Sequence, residues 1–254
     1  MSSSPSVGPP ASQPAPDVRA APAPPEMHHD HQNVSGGWLR PAVFGASDGL
    51  VSNFALIAGV AGGGLDSHQV ALTGLAGLAA GAFSMAAGEY TSVRSQREVM
   101  HAELAIERAE IARRPKAEEA ELARIYRKRG LDPALAQEVA QQLSRDPDTV
   151  WKVHAREELG VDPDALPSPW VAAFSSFLAF AIGAFIPLLP YLVGASSLAA
   201  SLVLSGLGLF TAGALVARFT RRAWWYSGTR QLVLGAVAAG VTYLIGHLVG
   251  ASVG

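Results

Sequence analysis

The sequence predicts an all-α integral membrane protein of five transmembrane helices, with a charged helical insert between the second and the third. Two observations carry this. First, charge is segregated: residues 95–167 hold 15 of the 21 acidic residues and 12 of the 19 basic ones. Second, the stretches 41–63, 69–93, 170–193, 196–217 and 231–252 are almost free of charge. Each reaches the roughly 20 residues that a helix needs to cross a hydrocarbon core. The expected organisation is a tail over 1–37, two spans over 38–94, the insert over 95–167 and three spans over 168–254. A net charge of −2 argues against a nucleic-acid partner, which favours a basic protein. With no cysteine, a disulfide or a thiolate metal site is excluded.

Residues 1–37 are rich in Pro, Ala and Ser and lack the apolar core of a signal peptide, so a disordered tail is expected. Met27, His28, His29, Asp30 and His31 interrupt it. Two readings stand: a loose metal-catching patch, or a polar linker. The linker is favoured, because a histidine tract is only compositional evidence.

The first span is expected from about Pro41 to Gly63. Proline suits a first helical turn, where its missing N–H is no loss. Gly45, Gly49 and Gly59 would let another helix approach closely. The loop Gly62 to His68 carries no Lys or Arg. The second span starts near Gln69. Gly74, Gly77, Gly81 and Gly88, among many alanines, give it a small-residue surface suited to tight packing, with a second subunit as the expected neighbour. From Thr91 to Arg113 there is no Pro or Gly, so this helix is expected to continue out of the membrane as one rod.

Pro115 begins a further helix, about Lys116 to Arg129, which Gly130 ends. Asp132-Pro133 and Asp146-Pro147 start two more, about Pro133 to Leu143 and Asp148 to Leu159. Gly160 to Pro169 is expected to be a linker, with three prolines blocking helix. The third span, Trp170 to Val193, contains Pro187 and Pro190, which imply a kink or break near its far end. The fourth runs from Ser196 to about Ala217. A basic loop should follow, with Arg218, Arg221, Arg222 and Arg230 beside Trp224, Trp225 and Tyr226. The fifth is about Gln231 to Ser252. Its His247 reads as a packed or interfacial group.

Arginine accumulates before the first span (Arg40), after the second (Arg94, Arg97) and after the fourth, while the loops at 62–68 and 194–196 have no positive charge. The positive-inside rule then puts the N-terminus and the insert in the cytoplasm and the C-terminus outside.

Asp48 lies in the middle of the first apolar stretch. Insertion scales place an aspartate at the centre of a membrane helix at about 2.5–3.5 kcal/mol, so such a group is usually paired, wetted or coordinating. On the second span Met85 and Glu89 are four apart and share a face. Met85 alone would pass for lipid-facing or packing filler; beside Glu89 and Asp48, a thioether ligand is a credible alternative. In the insert, Glu103, Glu107 and Glu110 fall at i, i+4, i+7 on one stripe. Glu118 and Glu121 are i, i+3 on the next helix, and His154 and Glu158 are i, i+4 on another. Carboxylates with one imidazole suit Fe²⁺, Mn²⁺ or Zn²⁺. The competing reading is an ordinary charged surface, in which Arg108, Arg113, Arg124 and Arg156 pair with these glutamates.

With those residues in view, the chain resembles the vacuolar iron transporter family. The matching pieces are Gly45-Ala-Ser-Asp-Gly-Leu50, Gly81-Ala-Phe-Ser-Met-Ala-Ala-Gly-Glu-Tyr90, the Glu-rich helix from Glu103, Glu157-Glu-Leu-Gly160 and Phe185-Ile-Pro-Leu-Leu-Pro-Tyr191. They occur in the family's order and cover about Trp38 to the C-terminus. The resemblance implies five spans per subunit, a homodimer with its pathway at the subunit interface, and export of Fe²⁺ from the cytoplasm in exchange for protons. Mn²⁺, Zn²⁺ and Co²⁺ are further candidate substrates, and no organic cofactor is expected. It matches Asp48 and Met85 to the translocation carboxylate and methionine. It matches Glu107, Glu110, Glu118, Glu121 and Glu158 to a cytoplasmic metal-binding domain, with Glu103 adjacent. The chain also departs from a plant member. A methionine pair there aligns with His154 and Ala155, and two membrane-side glutamates fall on Gly37 and Gly77; Glu89 is a substitute candidate for part of that role. No ferritin-like domain is read ahead of the bundle.

The expected function is therefore an Fe²⁺/H⁺ antiporter in a bacterial inner membrane, with Asp48, Met85 and Glu89 on its pathway. Mn²⁺ efflux, a membrane-anchored metal sensor or store, and carriage of an organic solute are the alternatives. No nucleophile–base pair, phosphate loop or zinc-hydrolase motif points to an enzyme.

Overall fold

A computed structural model describes residues 37–253, Ser196 excepted; the expectations for the tail lie outside the described residues. Helix α1 spans Leu39–Gly62, α2 Ser67–Arg113, α3 Pro115–Lys128, α4 Pro133–Leu143, α5 Pro147–Glu157, α6 Pro169–Leu192, α7 Leu198–Thr220 and α8 Trp224–Val253. A single 3₁₀ turn, Pro163–Ala165, precedes α6. Five of these helices are long and apolar enough to cross a membrane: α1, α2, α6, α7 and α8. The short helices α3, α4 and α5 form the insert.

The local signals explain the boundaries. Asp66 caps α2 by accepting from the Gln69 N–H, and the Gln69 side chain accepts from the Asp66 N–H in return. Proline stands in the first turn of α3, α4, α5 and α6, and aspartate caps α4 and α5. Pro169, expected to block helix, therefore starts one. Helix α2 runs 47 residues without interruption. At 1.5 Å per residue that is about 70 Å, far more than the thickness of a bilayer core; the helix continues through Thr91 to Arg113 as expected.

Two expectations need correction. Of the kink or break expected near the far end of α6, the break does not occur: the helix continues through Pro187 and Pro190 to Leu192. The prolines remove the N–H donors that would serve the Gly183 and Ile186 carbonyls. Ser201 Oγ donates to the Pro187 carbonyl and Asn53 Nδ2 to the Ala184 carbonyl, each at 2.6 Å, which ties this end of α6 to α7 and α1. The basic segment after α7 is mostly not a loop. Helix α8 begins at Trp224, so Trp224, Trp225, Tyr226 and Arg230 are helical and only Arg221, Arg222 and Ala223 connect. The helix starts early because nothing between Trp224 and Gln231 stops it, and Gly228 packs directly on Phe210 of α7. His247 stacks parallel to the Tyr243 ring in α8, at a centroid distance of 6.4 Å.

Helix α1 is the centre of the membrane bundle, packed on α6, α8, α2 and α7. Its contact with α6 is nearly backbone to backbone. A Cβ on Gly49 would collide with the Phe180 carbonyl, and one on Gly183 of α6 with the Ala46 carbonyl. Phe180, buried in this contact, lays its ring on Gly81 of α2. Gly74 and Gly77 likewise pack inside the subunit, against Ile57, Leu188, Leu56 and Asn53. Three glycines of α2 thus pack within the subunit, where large side chains of α1 and α6 fill the space beside them, while Ala76, Ala79, Ala80, Ala87 and Gly88 stay exposed. Gly88 alone of the four meets nothing within 4 Å.

An alanine at Gly49 or Gly183 should destabilise the protein by about 1–3 kcal/mol, the usual cost of overpacking. Gly240→Ala, where a Cβ meets nothing within 4 Å, should cost nothing. Thermal unfolding of the purified variants in one detergent separates these outcomes.

Candidate functional site

The insert places its ligand-type residues first by hydrophobic packing. Helices α3 and α4 share a core of Leu122, Ala123 and Ala140, with Tyr126, Leu143 and Val153 against it. Helix α5 is then pinned to the rod α2. The Trp151 indole donates to the Leu104 carbonyl at 3.2 Å, and the Arg108 guanidinium lies over the Trp151 ring at 5.2 Å. One turn along α5, this docking sets His154 against Glu107.

His154 is fully buried. Its Nδ1 lies 3.0 Å from Glu107 Oε1, 3.6 Å from Glu158 Oε2 and 4.0 Å from Glu118 Oε2. Despite that proximity neither ring nitrogen has a hydrogen-bond partner, and Glu107 Oε1 has none either. One ligand atom each from Glu107, His154 and Glu158 lies within 4.8 Å of the others, the spacing of a cation site. Burial pushes the Glu107 carboxyl above the ordinary carboxylate range, Glu158 adds to the rise and His154 opposes it. Burial raises the Glu118 carboxyl in the same way, with His154 opposing and Glu121, Glu110 and Glu158 adding.

The structure therefore gathers Glu107, Glu118, His154 and Glu158. Glu110 and Glu121 stand at the margin, near enough for their charge to be felt, and Glu121 faces Arg124 at 3.6 Å. Glu103 is exposed and outside the group. It sits beside Leu104, at the level where Trp151 docks rather than where His154 does. The competing reading of an ordinary charged surface fits the outer residues only. Arg108 lies 3.7 Å from Asp148, and Arg156 3.0 Å from Asp162, so neither neutralises the cluster.

In the membrane bundle, Asp48 and Met85 line one cavity of about 270 Å³, together with Ser52, Asn53, Leu56, Gly77, Gly81, Ser84 and Phe180. Met85 also packs against the cluster of Ala82, Phe180 and Ala184. Asp48 borders a second cavity as well, between α1 and α8, with Arg40, Ser47 and Gln231 in its wall. Glu89 is half-buried one turn beyond Met85 and does not line the first cavity. Asn53 is 2% exposed, and sequence reasoning overlooked it: an asparagine in an apolar run carries no charge to flag it.

A family model described as the VIT family matches residues 39–247. The chain belongs to the VIT family. It is 37% identical over 229 residues to "Vacuolar iron transporter" of Acanthamoeba castellanii, covering 86% of this chain and 82% of that protein. It is 31% identical over 226 residues to "Vacuolar iron transporter 1" of Arabidopsis thaliana, covering 87% and 90%. "Vacuolar iron transporter homolog 1" of Oryza sativa subsp. japonica is 36% identical over 224 residues, covering 84% and 74%. VIT membership makes the chain a membrane transporter rather than an enzyme.

Two measurements on this VIT chain test the insert. Glu107 and Glu118 have an ordinary value of 4.5 and are raised in the folded state. The folded chain thus holds protons that the unfolded chain has released. Without metal, the stability they contribute is fully present below the ordinary value and is lost as pH rises through the folded pKa. The metal-free protein should therefore melt higher at about pH 5 than at about pH 7 on this account, and Glu107→Gln should flatten the difference. A divalent ion needs the ionised carboxylates, so the rise in melting temperature on adding Mn²⁺ should be larger at about pH 7 than at about pH 5. Separately, His154→Ala should weaken Mn²⁺ binding by an order of magnitude, roughly the loss expected for a metal-site residue, in a titration of the full-length protein.

Proposed function

We propose that this chain is a divalent metal/proton antiporter that exports Fe²⁺ from the cytoplasm, working as a homodimer in a cell membrane. The observation that carries the reading is the meeting of Asp48 and Met85 in one cavity inside the membrane bundle. A protein that merely anchored a metal-binding insert would have no use for that cavity. The names of the relatives, which are iron transporters, support the choice of ion.

The proposed path starts at the insert. Glu107, Glu118, His154 and Glu158 collect the ion, with Glu110 and Glu121 drawing it in electrostatically. Their helices are fixed to the water-exposed half of α2, and that same helix carries Met85 into the membrane. The ion passes to Asp48 and Met85. The thioether disfavours Mg²⁺ and Ca²⁺, which prefer all-oxygen sites. Protons arriving from the far side neutralise Asp48, with Glu89 as a second acceptor, and release the metal. The arginines before α1, after the membrane part of α2 and after α7 support a cytoplasmic insert and N-terminus and an outward C-terminus. Efflux of Mn²⁺ is the second reading, favoured by the imidazole of His154, since a nitrogen and carboxylate set suits Mn²⁺ as well as Fe²⁺.

Uptake of Fe²⁺ and Mn²⁺ by proteoliposomes under an imposed pH gradient tests this. Uptake should follow the gradient and collapse with a protonophore. Asp48→Asn should abolish it while leaving Mn²⁺ binding by the insert intact; wild-type rates in that variant would refute the mechanism.

A further inference from the structure

We infer that Asn53 supplies a fixed amide-oxygen ligand to the cation held by Asp48 and Met85, and that this oxygen tilts the site toward oxygen-preferring ions such as Mn²⁺ over softer ones. The inference rests on the transport reading above and adds to it a residue that sets selectivity.

The geometry comes from three contacts. Asn53 is 2% exposed, and its Nδ2 donates to the Ala184 carbonyl of α6 at 2.6 Å. A carbonyl needs a donor, so this bond decides which end of the amide is oxygen. Oδ1 is thereby turned the other way, toward α2, and has no hydrogen-bond partner. On that side stands Gly77, where an added Cβ would lie 3.0 Å from Oδ1. Asn53 and Gly77 both line the cavity that holds Asp48 and Met85. The glycine puts no side chain of its own against this buried oxygen.

An amide oxygen left unpaired in a buried place is destabilising. The hydroxyls in the same wall, Ser52 and Ser84, do not bond to it. A cation is the partner of the right sign. With it, the donor set becomes one carboxylate, one neutral oxygen and one thioether. The neutral oxygen adds a hard ligand without adding a second buried charge to the empty site. Losing it leaves sulfur a larger share of the coordination, which favours soft ions.

The test uses the full-length chain in proteoliposomes with an imposed pH gradient, comparing Mn²⁺ with Cd²⁺, the softer ion. Asn53→Ala should raise the KM for Mn²⁺ on the order of tenfold, with a smaller change for Cd²⁺. Gly77→Ala leaves Asn53 itself unchanged and sets a methyl group against Oδ1 and the tip of the Leu56 side chain, which must give way; it should shift the Mn²⁺/Cd²⁺ ratio the same way. Met85→Ala should shift it the opposite way. If Asn53 only ties α1 to α6, Asn53→Ala slows both ions equally, Gly77→Ala leaves the ratio at its wild-type value, and the inference is overturned. Should Asn53→Ala fail to fold, the Gly77→Ala ratio decides alone. If the wild type moves neither ion, the transport reading fails instead. Mn²⁺ against Cd²⁺ affinities of the same variants, in a His154→Ala background that weakens the insert site, then decide the ligand role. An unchanged affinity ratio there overturns it.

Discussion

The membrane half of this molecule depends on how closely α1 approaches α6. No side chain separates them where Gly49 meets the Phe180 carbonyl and Gly183 meets the Ala46 carbonyl. That proximity sends the Phe180 ring sideways onto Gly81 of α2, where it forms part of the cavity wall. It also brings the Ala184 carbonyl within reach of Asn53. The cavity around Asp48 and Met85 is thus a consequence of packing on both sides of it. A carboxylate is tolerable there because the space beside it is lined by hydroxyl and amide groups rather than filled by hydrocarbon.

The insert solves a different problem. Its helices are individually short, and α3 and α4 hold together through a small apolar core. What attaches α5 to the rod is one tryptophan, hydrogen-bonded and stacked under an arginine. The group this docking produces is unfavourable by itself: three carboxylates converge on an imbalanced imidazole with no hydrogen bonds of its own. Stability alone does not explain such an arrangement, because partly satisfied buried polar groups cost more than an apolar core. A divalent cation is of the right charge to offset the penalty, and both residue groups are built on the continuous helix α2.

Much of this was legible beforehand. Charge segregation marked the spans, and the absence of Pro and Gly between Thr91 and Arg113 marked the rod. Asp48 announced itself as a charge in an apolar run. Spacing named seven insert residues but could not rank them. Glu103 and Glu107 are equivalent by periodicity; only the position of Trp151 decides that one is buried and the other exposed. Asn53 gave no signal, since an uncharged amide in a hydrophobic helix is unremarkable until its bond to α6 is seen. The glycines of α2 were legible as a packing surface, but not as a surface used within the subunit. Pro187 and Pro190 suggested a kink or a break, and the helix runs on through both to Leu192.

By itself the sequence determined which segments are apolar enough to cross a membrane, where the Asp-Pro pairs start α4 and α5, and which residues are chemically able to bind a cation. Those follow from composition, from local hydrogen bonding and from side-chain chemistry, all properties of neighbouring residues. Only the tertiary structure decided which of those residues meet. His154 and Glu107 lie on different helices, as do Asp48 and Met85, and their distances depend on the packing of side chains far away in the chain. Periodicity can assign a face to a residue, but the partner of that face is chosen by the fit of the whole.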